Sequence, residues 1–198
     1  MKKTLKKYIK INKKNYSYEY YDFRLSRSGK TTIGKLIAEK LNCKFHSTGS
    51  FRRNEAKKLG MTIQEYNELA EIDSSTDLKA DNFQKKLGEA NEDFVFEGRL
   101  SFFFIPTSIK IFLTIDPKEG AKRILDENRS SEQKIKTINK QIKINTYRIN
   151  ADEKRYQKLY GLNCYEKSNF DIVIDTTNKT IDKVLEETLE KINRFIKK

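Results

Sequence analysis

The run Ser26-Arg27-Ser28-Gly29-Lys30-Thr31-Thr32 stands directly before Ile33, Leu36, Ile37 and Leu41, apolar residues that recur at helical spacing. Lys30 to Leu41 therefore reads as an amphipathic helix headed by Gly-Lys-Thr. That placement has a specific physical use. The first amide N–H groups of a helix have no partner inside it, and the helix dipole adds positive potential there, so the end receives an anion. Gly29 keeps the backbone clear for phosphate oxygens, Lys30 reaches the β- and γ-phosphates, and Thr31 offers its hydroxyl to Mg²⁺.

Outward from this loop, short apolar runs alternate with helical patterns. Cys43 to Ser47 reads as a short strand, Asp93 to Glu97 as a strand that turns polar at its end, and Ile109 to Ile115 as the clearest strand. Phe170 to Asp175 reads as another. Thr62 with Glu65 forms a capping box ahead of a helix carrying Tyr66, Leu69 and Ile72. Ile181, Val184, Leu185, Leu189, Ile192 and Ile196 share one face of a last helix. Between them, roughly Ser130 to Tyr160 is a long charged helix with few apolar positions, expected to project from the core or to pack by one thin stripe. Strands apolar on successive residues, each followed by a helix, predict an α/β fold with a parallel sheet flanked by helices.

Two features depart from a full phosphate loop. The pattern asks for glycine five residues before Gly29, where this chain has Arg24. The preceding strand should be apolar, yet Tyr16-Ser17-Tyr18-Glu19-Tyr20-Tyr21-Asp22-Phe23 is polar and tyrosine-rich. The downstream amides are still expected to hold a nucleotide. Residues 1–22 are read as a basic, tyrosine-rich lead-in and 23–198 as a single domain, a size suited to one core.

Of the formal charge of +13, seven units come from lysines in the first fourteen residues, leaving +6 on the rest. The lysine-rich tail is read as a solubilising segment in preference to one that holds RNA or anionic lipid. One histidine, His46, disfavours Ser-His-Asp chemistry and histidine-rich metal sites. Two cysteines, Cys43 and Cys164, are too few for a disulfide scaffold. No apolar run approaches the ~18 residues of a membrane span, so a cytoplasmic protein without a membrane partner is expected.

From about residue 24 to 177 the chain resembles the short, archaeal-type cytidylate kinases, a branch of the P-loop nucleoside monophosphate kinases. The resemblance rests on Ser47-Thr48-Gly49-Ser50-Phe51-Arg52-Arg53, Gly60-Met61-Thr62 with Glu65-Tyr66, Asp77 with Asp81, Glu97-Gly98-Arg99-Leu100, and Arg148, Asp152, Arg155-Tyr156 and Tyr160-Gly161. Two lid positions differ. Glu127 stands where a second lid arginine is usual, with Arg129 two residues on, and Asn163 stands for an aspartate.

The resemblance implies ATP and Mg²⁺ as cofactors, CMP or dCMP as acceptor, acceptor-binding helices over about 49–90, a helical lid over about 127–156, and a monomer. Ser28, Gly29, Lys30, Thr31 and Thr32 would bind ATP phosphates; Gly49, Arg53, Asp77 and Arg99 the acceptor nucleotide; Lys30, Arg148 and Arg155 would be catalytic. Thr31, with Glu97 through a water, would hold the metal. An acceptor that is already an anion needs no general base, so cations and alignment carry such a reaction.

Other readings stay open at this point. AMP or UMP would need the same cations, and a decayed kinase fold that binds RNA would suit Arg24 and the lysine tail. Arg53 and Arg99 could be surface ion-pair arginines, Asp77 and Asp81 solvated helix acids, and Phe102-Phe103-Phe104 core residues in preference to a base stack. His46 and the cysteines are expected to carry no chemistry.

Overall fold

The computed structural model describes residues 16–18, 30–90, 92–126 and 137–197. Strand β1 is Tyr16–Tyr18, and helix α1, Lys30–Leu41, follows it. Strand β2, Lys44–Ser47, leads into α2, Thr48–Lys58, α3, Ile63–Ile72, and α4, Ser75–Glu89. Strand β3 is Phe94–Glu97, followed by the single turn α5, Ser101–Phe104. Strand β4 is Ile111–Thr114 and α6 is Pro117–Asp126. The long helix α7 is Ile138–Tyr160, β5 is Ile172–Asp175 and α8 is Ile181–Ile196.

The strands pair in the order β2-β3-β1-β4-β5, and every pairing is parallel. Three residues of the tyrosine-rich stretch thus hold the middle of the sheet, with Tyr16 opposite Val95 and Tyr18 between Glu97 and Ile111. The first strand of the domain starts ahead of residue 23, inside what the sequence marks as a lead-in.

Alternation along the strands divides the core by side-chain type. Val95, Ile111, Leu113, Ile172 and Ile174 face Ile33, Ile37 and Ala38 of α1 and Val184, Leu185, Leu189 and Ile192 of α8. The intervening residues point to the other side. Phe112 joins Leu100, Phe102, Phe104, Tyr156, Cys164, Tyr165 and Phe170 there, while Phe94 and Phe96 pack with Ile105, Phe83 and Leu87. Phe112 stacks on Phe170 with centroids 4.6 Å apart. Both faces are covered, as a parallel sheet requires. Among the described residues no helix is long and apolar enough to cross a membrane.

Because all strands run the same way, Ser47, Glu97, Thr114 and Asp175 end along one edge of the sheet. Helix α7 lies on this molecule by a thin stripe. Ile142 meets Ile115, Ala121 and Ile124, and Ile149, Tyr156 and Tyr160 meet the aromatic cluster. Gln141, Asn145 and Asp152 are buried between them. A polar stripe turned inward explains why the apolar pattern of this helix is so weak. Gly161, with φ 67°, ends it in the left-handed conformation that glycine adopts at least cost.

Candidate active site

Thr31 is in the first turn of α1, which carries no acid there. Its hydroxyl donates to Glu97 Oε2 at 2.9 Å, tying the helix start to the end of β3. Lys30 begins the helix and Thr32 follows, exposed. Ser28 and Gly29, together with Arg24 and the lid positions Glu127 and Arg129, lie outside the described residues. A threonine hydroxyl beside a carboxylate is a set of hard oxygen donors, the kind Mg²⁺ selects. These residues therefore fit that ion.

Next along the edge, Ser47 caps α2. Its Oγ accepts from the Ser50 amide at 3.0 Å and donates to Ser50 Oγ at 2.9 Å. Arg53 Nη2 donates to the same Ser50 Oγ at 3.1 Å. A Cβ on Gly49 would lie 3.5 Å from Arg53 Nη1, so the exposed guanidinium spans the helix start. Its neighbour behaves differently. Arg52 is buried to 11% side-chain exposure and donates to Asp77 Oδ1 at 2.7 Å and to Asn67 Oδ1 at 3.1 Å, with its guanidinium 5.1 Å from the centre of the Tyr66 ring. Of two adjacent arginines, one clamps α2 to α3 and α4 and the other faces outward.

The Glu97-Gly98-Arg99 turn is packed to contact. A Cβ on Gly98 would fall 2.6 Å from Thr48 Oγ1, 2.7 Å from Phe96 Cε1 and 3.1 Å from Gln84 Oε1; only glycine fits. Beyond it, Arg99 Nε pairs with Asp152 Oδ2 at 3.1 Å. The other oxygen, Asp152 Oδ1, accepts from Arg155 Nη2 at 3.0 Å. Arg155 Nε approaches Asp77 Oδ2 at 3.5 Å, and its Nη2 also donates to the Tyr156 hydroxyl at 3.1 Å. Burial disfavours the charge on Arg155, but Tyr156, Asp77 and Asp152 outweigh it and raise its pKa. Arg52, Asp77, Arg155, Asp152 and Arg99 thus form one chain of alternating charge from α2 across α4 and α7 to the end of β3.

Arg148 is seven residues before Arg155 on α7 and exposed. Seven residues are nearly two turns, so it lies on the same stripe roughly 10 Å along the axis. Several polar atoms around this edge are buried without a hydrogen bond: Thr48 Oγ1, Arg52 Nη2, Asp77 Oδ2, Gln84 Oε1 and Arg155 Nε. Two of them, Asp77 Oδ2 and Arg155 Nε, face each other at 3.5 Å as an ion pair, and the other three are polar atoms that the described residues leave without a hydrogen bond.

The model of the cytidylate kinase-like family matches residues 23–178. The chain belongs to this family. It is 30% identical to the cytidylate kinase of Methanobrevibacter smithii, over 85% of this chain and 96% of that protein. With the cytidylate kinase of Methanococcus aeolicus it shares 32% identity over 81% of this chain and 89% of that protein. Shikimate kinase from Acinetobacter baumannii, solved with shikimate, has the same fold: TM-score 0.59, 17% identity, covering 91% of this chain and 94% of that one. Within the cytidylate kinase-like family the parallel sheet, with α1 springing from its edge, is the P-loop kinase architecture.

Sequence reasoning named Arg53, Asp77, Arg99 and Arg155, but it missed how they are held. Arg52 was hidden by its neighbour, and the Arg–Asp spacing over 25 residues leaves no local signal. Gln84, in contact with Asp81, carries no mark in the sequence beyond an ordinary helix position; Tyr160 belongs to the resemblance, but nothing in the sequence showed that its hydroxyl bonds Asp81. Phe102 and Phe104 are core residues, whereas Phe103 is 45% exposed. His46 is half-buried in β2, edge-on to Phe83 and Phe94, and burial lowers its pKa. Burial raises the Cys43 thiol to about 11, far from a reactive thiolate.

Proposed function

We propose that the protein transfers the γ-phosphoryl group of ATP to CMP or dCMP, giving ADP and the nucleoside diphosphate. The end of β3 carries this assignment. Glu97 is bonded to the threonine at the start of α1, and Arg99, two residues later, is bonded to α7. One short turn would thereby join the donor-side and acceptor-side groups.

In this reading the amides of 28–32 and Lys30 hold the β- and γ-phosphates of ATP at the positive end of α1. Thr31, with Glu97 through a water, would hold Mg²⁺, which when bound neutralises charge on the donor phosphates. Gly49 and Arg53 receive the acceptor at the start of α2, with Asp77 keeping Arg52 and Arg155 in place. Arg99 and Arg155 turn toward the phosphate of CMP, where a planar fork of donors matches two oxygens at once. Asp152 orients both guanidiniums. Arg148 supplies a further cation from α7 as the lid closes and water is excluded. No side chain takes a proton from the acceptor, because its phosphate is already an anion at neutral pH. The acceleration comes from alignment and from cations placed where charge gathers.

A coupled ADP-release assay with CMP, dCMP, UMP and AMP in the presence of ATP and Mg²⁺ tests this. Turnover with CMP and dCMP above the other two is expected; background rates with all four would defeat it.

A further inference from the structure

Asp77 meets two cations and holds them unequally. Arg52 Nη1 donates to its Oδ1 at 2.7 Å. Arg155 Nε stands 3.5 Å from its Oδ2, and neither of those two atoms makes a hydrogen bond. The Asp77 side chain is 6% exposed. Charges so far from water interact strongly, and a buried ion stripped of its partner is costly. The carboxylate is therefore placed by the balance between two guanidiniums.

Arg52 is the fixed side of that balance. Its Nε donates to Asn67 Oδ1 at 3.1 Å, and its guanidinium lies 5.1 Å from the centre of the Tyr66 ring, which has no accessible surface. The arginine comes from α2, Tyr66 and Asn67 from α3, and Asp77 from α4. Three helices thus hold the planar fork, and the fork holds Oδ1. Arg155 comes from α7, where its Nη2 is shared between Asp152 Oδ1 at 3.0 Å and the Tyr156 hydroxyl at 3.1 Å. While Arg52 pins Asp77, the carboxylate faces Arg155 without bonding it, and the guanidinium stays with Asp152, which also holds Arg99.

We infer that Arg52 is a positioning residue for the phosphoryl transfer: by pinning Asp77 it sets where Arg155 points. This deepens the kinase reading given above and rests on it. Without Arg52 the carboxylate keeps one cation. A movement of about 0.6 Å turns its contact with Arg155 into an ordinary hydrogen bond. Arg155 then swings toward Asp77, away from Asp152 and from the acceptor. A buried carboxylate takes the arginine that the acceptor should meet.

A double-mutant cycle in kcat/KM for CMP, on the full chain with saturating ATP and Mg²⁺, tests the inference, with circular dichroism following the fold. Arg52→Met should lower kcat/KM by about 10- to 100-fold, the scale of a displaced reacting group, and leave KM for ATP within about threefold of wild type. Because Arg52 acts through Arg155, Arg52→Met with Arg155→Met should match Arg155→Met alone within about threefold. A role limited to tying helices together makes the two effects multiply, and a double variant lower than Arg155→Met by the whole Arg52→Met factor overturns the inference. Arg52→Lys returns a cation without the fork, so it should lie between Arg52→Met and wild type, at least about threefold below the latter. If Arg52→Met does not fold, the cycle runs with Arg52→Lys: a loss that vanishes beside Arg155→Met supports the inference, while one that persists in full, or lysine activity equal to wild type, overturns it. Wild-type protein that releases no ADP with any nucleotide overturns the kinase reading and this inference with it; multiplied effects in an active enzyme overturn the inference alone.

Discussion

Replacing Gly98 by alanine tests whether the turn after β3 is the fixed point of the site. The new Cβ would lie 2.6 Å from Thr48 Oγ1 and 2.7 Å from Phe96 Cε1, with Gln84 Oε1 at 3.1 Å. Ordinary contacts of these kinds are roughly 3.5 Å or more, so several tenths of an ångström to about 1 Å must be found. The Phe96 ring has no accessible surface and packs beneath Phe83, and Gln84 is equally enclosed. The backbone is therefore the part that moves, carrying Glu97 away from Thr31 and Arg99 away from Asp152. Overpacking of this order costs about 1–3 kcal/mol, and a misplacement of about 1 Å at reacting groups costs about 100-fold in rate. Urea unfolding should show that loss of stability, and ADP release with CMP should show kcat/KM lower by at least tenfold to 100-fold. Gly60→Ala is the control, since Gly60 has φ 69° and nothing within 4 Å of its would-be Cβ. It should cost about 1–2 kcal/mol from backbone strain alone and leave kcat/KM unchanged. A Gly98→Ala protein within 0.5 kcal/mol of wild type (about the ordinary surface-substitution range) and equally active would refute the reasoning.

Asp77→Ala should destabilise by about 3–5 kcal/mol in urea unfolding, because it strands the buried Arg52 without its partner. The double replacement Arg52→Met with Asp77→Leu should recover most of that loss, and a single variant costing under about 1 kcal/mol would mean the pair is dispensable. Asp81 gives a pH signature of unusual sign. Its carboxyl titrates near 6 in the folded chain and at an ordinary 3.8 otherwise, so between these values the folded state holds the extra proton. Stability should fall as pH rises from about 4 to about 6, relative to Asp81→Asn, and stay lower above that; parallel curves for the two proteins would count against it. Lys30→Ala should lower kcat/KM by about 10²–10³ on the proposed reading, in which its ammonium binds the donor phosphates, with the far-ultraviolet circular dichroism unchanged. Activity within threefold of wild type would place the donor phosphates elsewhere.

Helices with a one-sided apolar pattern were legible to the residue: α1 and α8 have the limits their periodicity predicts. The capping box at Thr62 and Glu65 is made by both of its hydrogen bonds. Strands β4 and β5 each begin two residues later than their apolar runs, since Ile109 and Phe170 pack in the core as loop residues. Helix α7 was legible as a helix and opaque as a surface. Its inward stripe is Gln141, Asn145, Asp152 and Tyr156, which hydropathy scores as solvent-facing. The site divides in the same way. Arg99 stood out through the turn that holds it, whereas Arg52, Gln84 and Tyr160 matter through partners 25, 3 and 79 residues away, and only the closed fold brings the distant pairs together.

Phosphorus NMR of the full-length protein mixed with ATP, Mg²⁺ and CMP puts the central claim to its most direct test. The account predicts that resonances of ADP and CDP grow together at the expense of ATP and CMP, and that Lys30→Ala protein suppresses both. A spectrum in which ATP and CMP persist unchanged alongside well-folded protein contradicts it.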